Sequence, residues 1–142
     1  MNEISLPYHL IIPGLISILI LGIIIFKRKV LFANRKRKWF WISVTVFFGI
    51  YLLIVGGATF VDISLELDLQ KYDLNGDGFF SGEEITPEQE EAMHKVISDT
   101  ARNFSFVSGL IFSGIIAFFV FIFGRTIEYI NGKRIKTKQA NV

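Results

Sequence analysis

The sequence predicts an all-α membrane protein with three transmembrane helices and a polar helix-loop-helix segment inserted between the second and the third. Three observations predict it. Of the 142 residues 51% are hydrophobic and the mean hydropathy is +0.49, too apolar for a soluble domain with one core. Three long stretches carry no charged side chain. The remaining charges are segregated by sign along the chain, so that a net +2 from 15 basic and 13 acidic residues conceals a dipolar molecule.

The first predicted span is 4–26, bounded by Glu3 and Lys27; the second is 39–61, between Lys38 and Asp62; the third is 103–124, between Arg102 and Arg125. They run 23, 23 and 22 residues. A helix rising about 1.5 Å per residue needs about 20 apolar residues to cross a hydrocarbon layer of about 30 Å. Burial inside a soluble protein is the competing reading, but the spans make up 68 of the 142 residues and leave too little polar chain to coat them. A cleavable leader is a second alternative for 4–26. It needs a basic stretch before the apolar run, whereas here Lys27, Arg28 and Lys29 follow it.

The connecting segments give an expected orientation. Residues 27–38 hold seven basic side chains and no acid, and the tail 125–142 holds five bases against Glu128 alone. Basic connections mark the cytoplasmic face, so both are predicted cytoplasmic, with the N-terminus outside and the plasma (inner) membrane as the setting. The segment 62–102 carries eleven acids and three bases and is predicted to lie outside. Resolved by segment, the charge is −1 at the N-terminus, −8 in 62–102 and +11 in the basic loop and tail. Trp39 and Trp41, with Tyr8 and His9, are placed where interfacial belts lie.

Within 62–102 the chain reads Asp73-Leu74-Asn75-Gly76-Asp77-Gly78-Phe79-Phe80-Ser81-Gly82-Glu83-Glu84. The pattern D-x-N-x-D-G-x-x-S-x-x-E resembles the calcium loop of the EF-hand family. Calcium takes six to eight oxygen ligands at flexible angles, which suits short acidic side chains at alternating positions. The resemblance implies Asp73, Asn75 and Asp77 as side-chain ligands, Gly78 at the sharp turn, the backbone carbonyl of Phe79, Ser81 directly or through water, and Glu84 closing the shell with both carboxylate oxygens. It also implies that Phe80 joins a short strand pairing with a second loop. The competing reading is an acidic, glycine-rich turn.

The resemblance covers about thirty residues and departs from the family twice. No second loop is present, which leaves the Phe80 edge without an intramolecular partner. Pro87 follows Glu84 by three residues, and Thr86-Pro87-Glu88-Gln89 has the form of a capping box with proline at the first helical position. The exiting helix is therefore expected to be short or kinked, with a new helix starting at Pro87 and an apolar face through Met93, Val96, Ile97, Ala101 and Phe104 running toward the third span. On the entering side Val61, Leu65, Leu69 and Tyr72 keep helical spacing without a breaker. If both flanking helices run into spans, a change in their angle on calcium binding would act on the membrane helices as a lever. An unpaired loop with three acidic ligands suggests a dissociation constant of roughly 10⁻⁴ to 10⁻³ M.

In the third span Ser105, Gly109, Ser113 and Ala117 recur every four residues, with Ser108 and Gly114 beside them, and the second span has Gly49, Gly56 and Gly57. Small residues let helices approach closely in lipid, either within this chain or against a copy or another membrane protein. The spans lack acidic or basic side chains apart from His9 at an edge, which argues against an ion-coupled transporter. A pore lined by Ser17, Ser43, Thr45 or Thr59 at an oligomer axis remains compatible. No catalytic motif occurs, so no enzymatic activity is expected; His94 reads as a solvated residue, and the basic segments as contacts for anionic lipid headgroups rather than nucleic acid. With no cysteine there is neither a disulfide nor a thiol chemistry to expect. The resulting expectation is a calcium-binding regulatory or accessory membrane subunit. The alternatives are a calcium-gated homo-oligomeric channel and a structural subunit holding calcium permanently.

Overall fold

The computed structural model describes residues 6–140, the side chains of 35, 36 and 134–140 excepted. Every regular element among them is helical. The first helix, α1 (Tyr8–Phe26), starts later than the predicted 4–26 because Pro7 stands outside it at φ −73° and ψ 72°. Residues 4 and 5 lie outside the described residues. The Pro7 carbonyl accepts from Leu10 N and Ile11 N and so closes the first turn. Pro13 sits inside α1, and the hydroxyl of Ser17 donates to the Pro13 carbonyl at 2.8 Å.

The basic loop contains a one-turn helix, α2 (Arg28–Leu31), before α3 (Arg35–Leu69) begins. Helix α3 runs 35 residues without interruption and passes into a 3-10 turn at Gln70–Tyr72. The second span and the helix entering the acidic loop are thus one rod, as the absence of a breaker predicts. After the loop come a 3-10 turn at Gly82–Glu84, helix α4 (Pro87–Ser98), a single turn α5 (Thr100–Asn103) and the long helix α6 (Ser105–Ala140). Helices α1, α3 and α6 are each long and apolar enough to cross a membrane.

The return path differs from expectation. The apolar helical face predicted to run from Pro87 toward the third span is divided among three helices, with breaks at Asp99 and at Phe104. The cause is local: the Asp99 carboxylate accepts from Arg102 N at 2.9 Å, capping a new turn instead of extending the old one. At its other end α6 continues far beyond Gly124, through the segment predicted only as a basic tail. No proline stops it there, the Arg125 guanidinium reaches the Glu128 carboxylate at 3.1 Å, and the Lys133 ammonium lies 4.7 Å from the Tyr129 ring centre.

Helix α3 is the shared spine. Both α1 and α6 pack along it, whereas α1 and α6 meet each other only slightly. Helix α1 turns Leu10, Gly14, Ser17 and Ile24 inward, at spacings of three, four and seven that keep one helical face. A Cβ on Gly14 would stand 3.7 Å from Val55, itself fully buried. The small-residue stripe of α6 is likewise occupied within the chain: Ser105, Gly109, Ser113 and Ala117 are buried against α3. A Cβ on Gly109 would meet Ile54 at 3.1 Å and the Tyr51 ring at 3.3 Å. At the basic end the Trp39 indole lies on the bare backbone of Gly124. A copy of the chain or a second membrane protein would therefore have to use a face other than this stripe. The remaining faces are broad and apolar, with Leu19, Leu53, Phe60 and Phe123 all more than 60% exposed, the surface expected of helices bathed in hydrocarbon.

Candidate functional site

The acidic loop hangs from the far end of α3, beyond the apolar span, and is held there by α4 folding back along α3. Leu69 at the end of α3 and Gln89 and Ala92 of α4 are buried. Helix α4 starts as the sequence predicts, with Pro87 at its first turn and the Thr86 hydroxyl accepting from Gln89 N at 3.2 Å.

Inside the loop the acidic and amide side chains turn oxygens onto backbone N–H groups. The two carboxylate oxygens of Asp73 accept from Gly76 N at 2.8 Å and Gly78 N at 2.9 Å. Asn75 accepts from Asp77 N at 2.8 Å, and Asp77 from Phe79 N at 2.7 Å. Gly78 has φ +83°, a conformation that side chains rarely adopt, and this allows the chain to reverse between Asp77 and Phe79. Glu84 is the anchor. Only 6% exposed, its carboxylate accepts from Leu74 N at 2.9 Å, Asn75 N at 3.0 Å and Ser81 N at 3.0 Å. Three N–H donors on one buried carboxylate cross-link the first third of the loop to its last.

Asp73, Asn75, Asp77, Ser81 and Glu84 are therefore wound into one loop, with the Phe79 side chain 76% exposed on its rim. Their chemistry, hard oxygens with no sulfur or imidazole, fits a calcium ion. Their geometry here is that of a self-bonded turn: among the described residues no three acidic or histidine side chains converge around a point that would hold a metal. Nor does Phe80 join a strand among the described residues. The exit is as short as Pro87 suggests, a single 3-10 turn at Gly82–Glu84.

Sequence reasoning missed the ion cluster below the loop. Arg102 is buried, its side chain 4% exposed, and its Nε lies 2.7 Å from Asp62 Oδ1. Its Nη2 donates to the Val96 carbonyl at 2.7 Å, and Nη1 is 3.8 Å from the Asp99 carboxylate. The Nε contact is short but off the N–H axis, so Nε and Nη1 are buried donors without an aligned acceptor in the protein. One guanidinium thus joins α3 through Asp62, the C-terminal end of α4 through Val96, and the α5 cap through Asp99. The signal was available, since Asp62 and Arg102 are the charges that close spans two and three at the same end, and their signs are opposite. A cavity of about 270 Å³ opens beside them, lined by Leu6, Pro7, His9, Asp62, Glu66, Val96, Arg102 and Asn103. The His9 ring stands edge-on to Phe106 at 5.9 Å.

The hydroxyls suggested as pore lining are engaged within their own helices. Ser17 donates to Pro13, Ser43 to Phe40, Thr45 to Trp41 and Thr59 to Val55, at 2.7 to 2.8 Å. Between α3 and α6 lies an apolar groove of about 520 Å³ lined by phenylalanines, Gly114 and Ala117. No known family model, no curated protein and no solved structure matches the chain.

Proposed function

We propose that this is a multi-pass membrane protein whose loop 73–84 binds calcium outside the membrane and couples its occupancy to the packing of α3 and α6, as a regulatory or accessory subunit. The observation that carries the proposal is the loop's attachment. It is the direct continuation of α3, and its return path is tied back to α3 by Arg102. A rearrangement of the loop therefore reaches the spans by two routes. On the entering side it passes along the rod of α3. On the exit side, where the helix is broken, it passes through the Arg102 cluster instead of an unbroken lever.

Asp73, Asn75, Asp77, Ser81, Glu84 and the Phe79 carbonyl would hold the ion, which supplies a positive centre for the acidic side chains. To ligate it, Glu84 exchanges its bonds to Leu74 N and Asn75 N for the cation, so binding competes with the self-bonded turn. That competition supports a weak site of roughly 10⁻⁴ to 10⁻³ M, suited to calcium outside the cell. At tenfold saturation the bound state gains only about 1.4 kcal/mol.

Calorimetric titration of the purified protein, repeated with Glu84→Gln, is the direct test. Heat and a thermal shift at millimolar calcium in wild type alone support the proposal, whereas no response at several millimolar removes calcium from it. Orientation is tested separately with single cysteines at Lys36 and Glu90. An impermeant reagent applied to intact cells should label only Glu90→Cys. Reconstituted liposomes separate the accessory role from a channel, because calcium-dependent ion flux through the pure protein would assign the pore to this chain.

A further inference from the structure

The groove of about 520 Å³ between α3 and α6 is made by a difference in size. Its floor on α6 is Gly114 and Ala117, which add little bulk, and its walls are phenylalanines, among them Phe40 and Phe48 of α3 and Phe118 of α6. A Cβ placed on Gly114 would stand 3.8 Å from Phe47, so the nearest side chain already keeps its distance. Phe40 and Phe118 are exposed at the rim. The hydroxyl of Ser43, also in the lining, donates to the Phe40 carbonyl at 2.8 Å and has no hydrogen left for a guest. A polar group taken into such walls would give up water without gaining a partner, whereas hydrocarbon loses nothing.

Depth and charge identify the guest. Along α3 the groove runs from Phe40 to Phe48, eight residues or about 12 Å, and beyond it the seam closes, where a Cβ on Gly109 would stand 3.1 Å from Ile54. A hydrocarbon layer of about 30 Å gives each leaflet about 15 Å, so the groove has the depth of one leaflet, the one at the basic end. A helix from a second copy crosses both leaflets and would need a face about twice as long. Arg37 precedes Phe40 and Val44 by three and seven residues and so stands over the groove on the same helical face. It is exposed and, among the described residues, has no ion pair. Arg125, four residues past Phe121, is bonded to Glu128 at 3.1 Å, and that pair is neutral. We infer that the groove holds one acyl chain of an anionic phospholipid from the leaflet at the basic end, with the lipid phosphate at Arg37. The inference rests on the membrane part of the proposed function and not on calcium. A choline lipid offers the same tail and phosphate but brings a cationic ammonium to the segment 27–38, which has seven bases and no acid. The site therefore prefers a headgroup with net negative charge, of the phosphatidylglycerol class.

The full chain is reconstituted in nanodiscs containing equal amounts of phosphatidylglycerol and phosphatidylcholine with matched acyl chains, without calcium, and native mass spectrometry reads the retained lipids and the oligomeric state together. The expected result is about fivefold enrichment of the glycerol lipid, the weight of roughly one basic side chain at a lipid surface. Arg37→Gln should lower that ratio severalfold. Lys38→Gln should leave it nearly unchanged, because Lys38 lines a different cavity, with Trp39 and Asn131. Gly114→Leu fills the groove and should reduce retention of both lipids severalfold with the melting temperature unchanged. Should it lower the melting temperature, Val44→Phe, which narrows the groove from the α3 wall, carries the comparison. Equal retention of the two lipids, or an equal loss of preference in Lys38→Gln, overturns the place of the headgroup; retention that neither groove variant reduces overturns the place of the tail. A dimer that Gly114→Leu dissolves assigns the groove to a second copy and overturns the lipid. Flotation with liposomes comes first: a chain that does not float refutes the membrane reading itself, whereas one that floats and shows no lipid preference refutes this inference alone.

Discussion

Replacing Arg102 by methionine should unfasten the return path while leaving the spine intact. The substitution keeps most of the side chain's apolar stem and removes the guanidinium. Three contacts go with it: the 2.7 Å approach to Asp62, the 2.7 Å bond to the Val96 carbonyl, and the longer one to Asp99. Breaking a buried ion pair from one side costs about 3–5 kcal/mol, because the surviving charge loses its partner in a poorly solvated place. Asp62 is 17% exposed and borders a cavity that can admit water, which places the loss near the lower limit, about 3 kcal/mol. The bond to Val96, a charged donor on a carbonyl, accounts for about 1.5–3 kcal/mol of this. Reversible unfolding in mixed micelles, followed by circular dichroism, measures the total. Hydrogen exchange locates it: α4 and α5 should lose protection while α1 keeps its own. The double variant with Asp62→Asn should be less destabilised than the sum of its parts by at least 0.5 kcal/mol, roughly the lower bound for contacting pairs. An Arg102→Met protein within about 0.5 kcal/mol of wild type, or an additive cycle, would refute the idea that this cluster fastens α4 and α5 to α3. Arg102→Lys should fall between the two, since one ammonium cannot replace a fork that reaches both Asp62 and Val96.

The other expectations concern separate contacts. In Gly124→Ala the new Cβ would overlap atoms of the Trp39 indole, so Trp39 must swing away; a loss of about 1–3 kcal/mol and a shift of tryptophan emission in a Trp41→Phe background should accompany it. In Gly109→Ala the new Cβ would press on the Ile54 Cγ2 methyl at 3.1 Å and the Tyr51 ring edge at 3.3 Å, close contacts rather than an overlap, and the variant should cost less in the same unfolding assay. Thr86→Ala removes the hydroxyl that accepts from Gln89 N and should cost about 1 kcal/mol, read as faster exchange at the start of α4. Lys71 holds the Asp68 carboxyl below its ordinary range by a hydrogen bond and by charge, as Lys95 does for Glu91. A lowered carboxyl pKa stabilises the fold fully above the unfolded value, near 4, and this is lost as pH falls through the folded value. Both pairs are exposed, so molar salt should erase the difference in acid unfolding between wild type and Lys71→Ala.

The spans were legible because hydrophobic length is a local property, and so were the cap at Thr86 and the unbroken run from the second span into the loop. The start of α1 was misplaced because hydropathy does not see that Pro7 stands outside the helix. The continuation of α6 past Gly124 was missed because a charged tail carries no apolar signal, although its i, i+3 and i, i+4 pairs favour helix. Asp99 was counted as one acid among eleven, and its role as a cap appears only once Arg102 N is seen to bond to it. The partnership of Asp62 and Arg102, forty residues apart in sequence, depends on the antiparallel register of α3 and α6. The ligand set of the loop is what its resemblance to the EF-hand pattern implies; what the pattern does not carry is that these oxygens turn onto the loop's own N–H groups.

The spine is longer than the span it contains. From Asp62 to Leu69 the helix climbs eight residues, about 12 Å at 1.5 Å each, before the acidic loop begins. At physiological ionic strength the potential of a charged membrane surface decays over about 8 Å, so at that height roughly a fifth of it remains. A loop lying on the lipid would experience cations concentrated by anionic headgroups, and its occupancy would follow lipid composition. On the calcium proposal, a loop raised on α3 would sample a concentration close to that of the bulk, and changing the lipid charge should leave its half-saturation point nearly where it was.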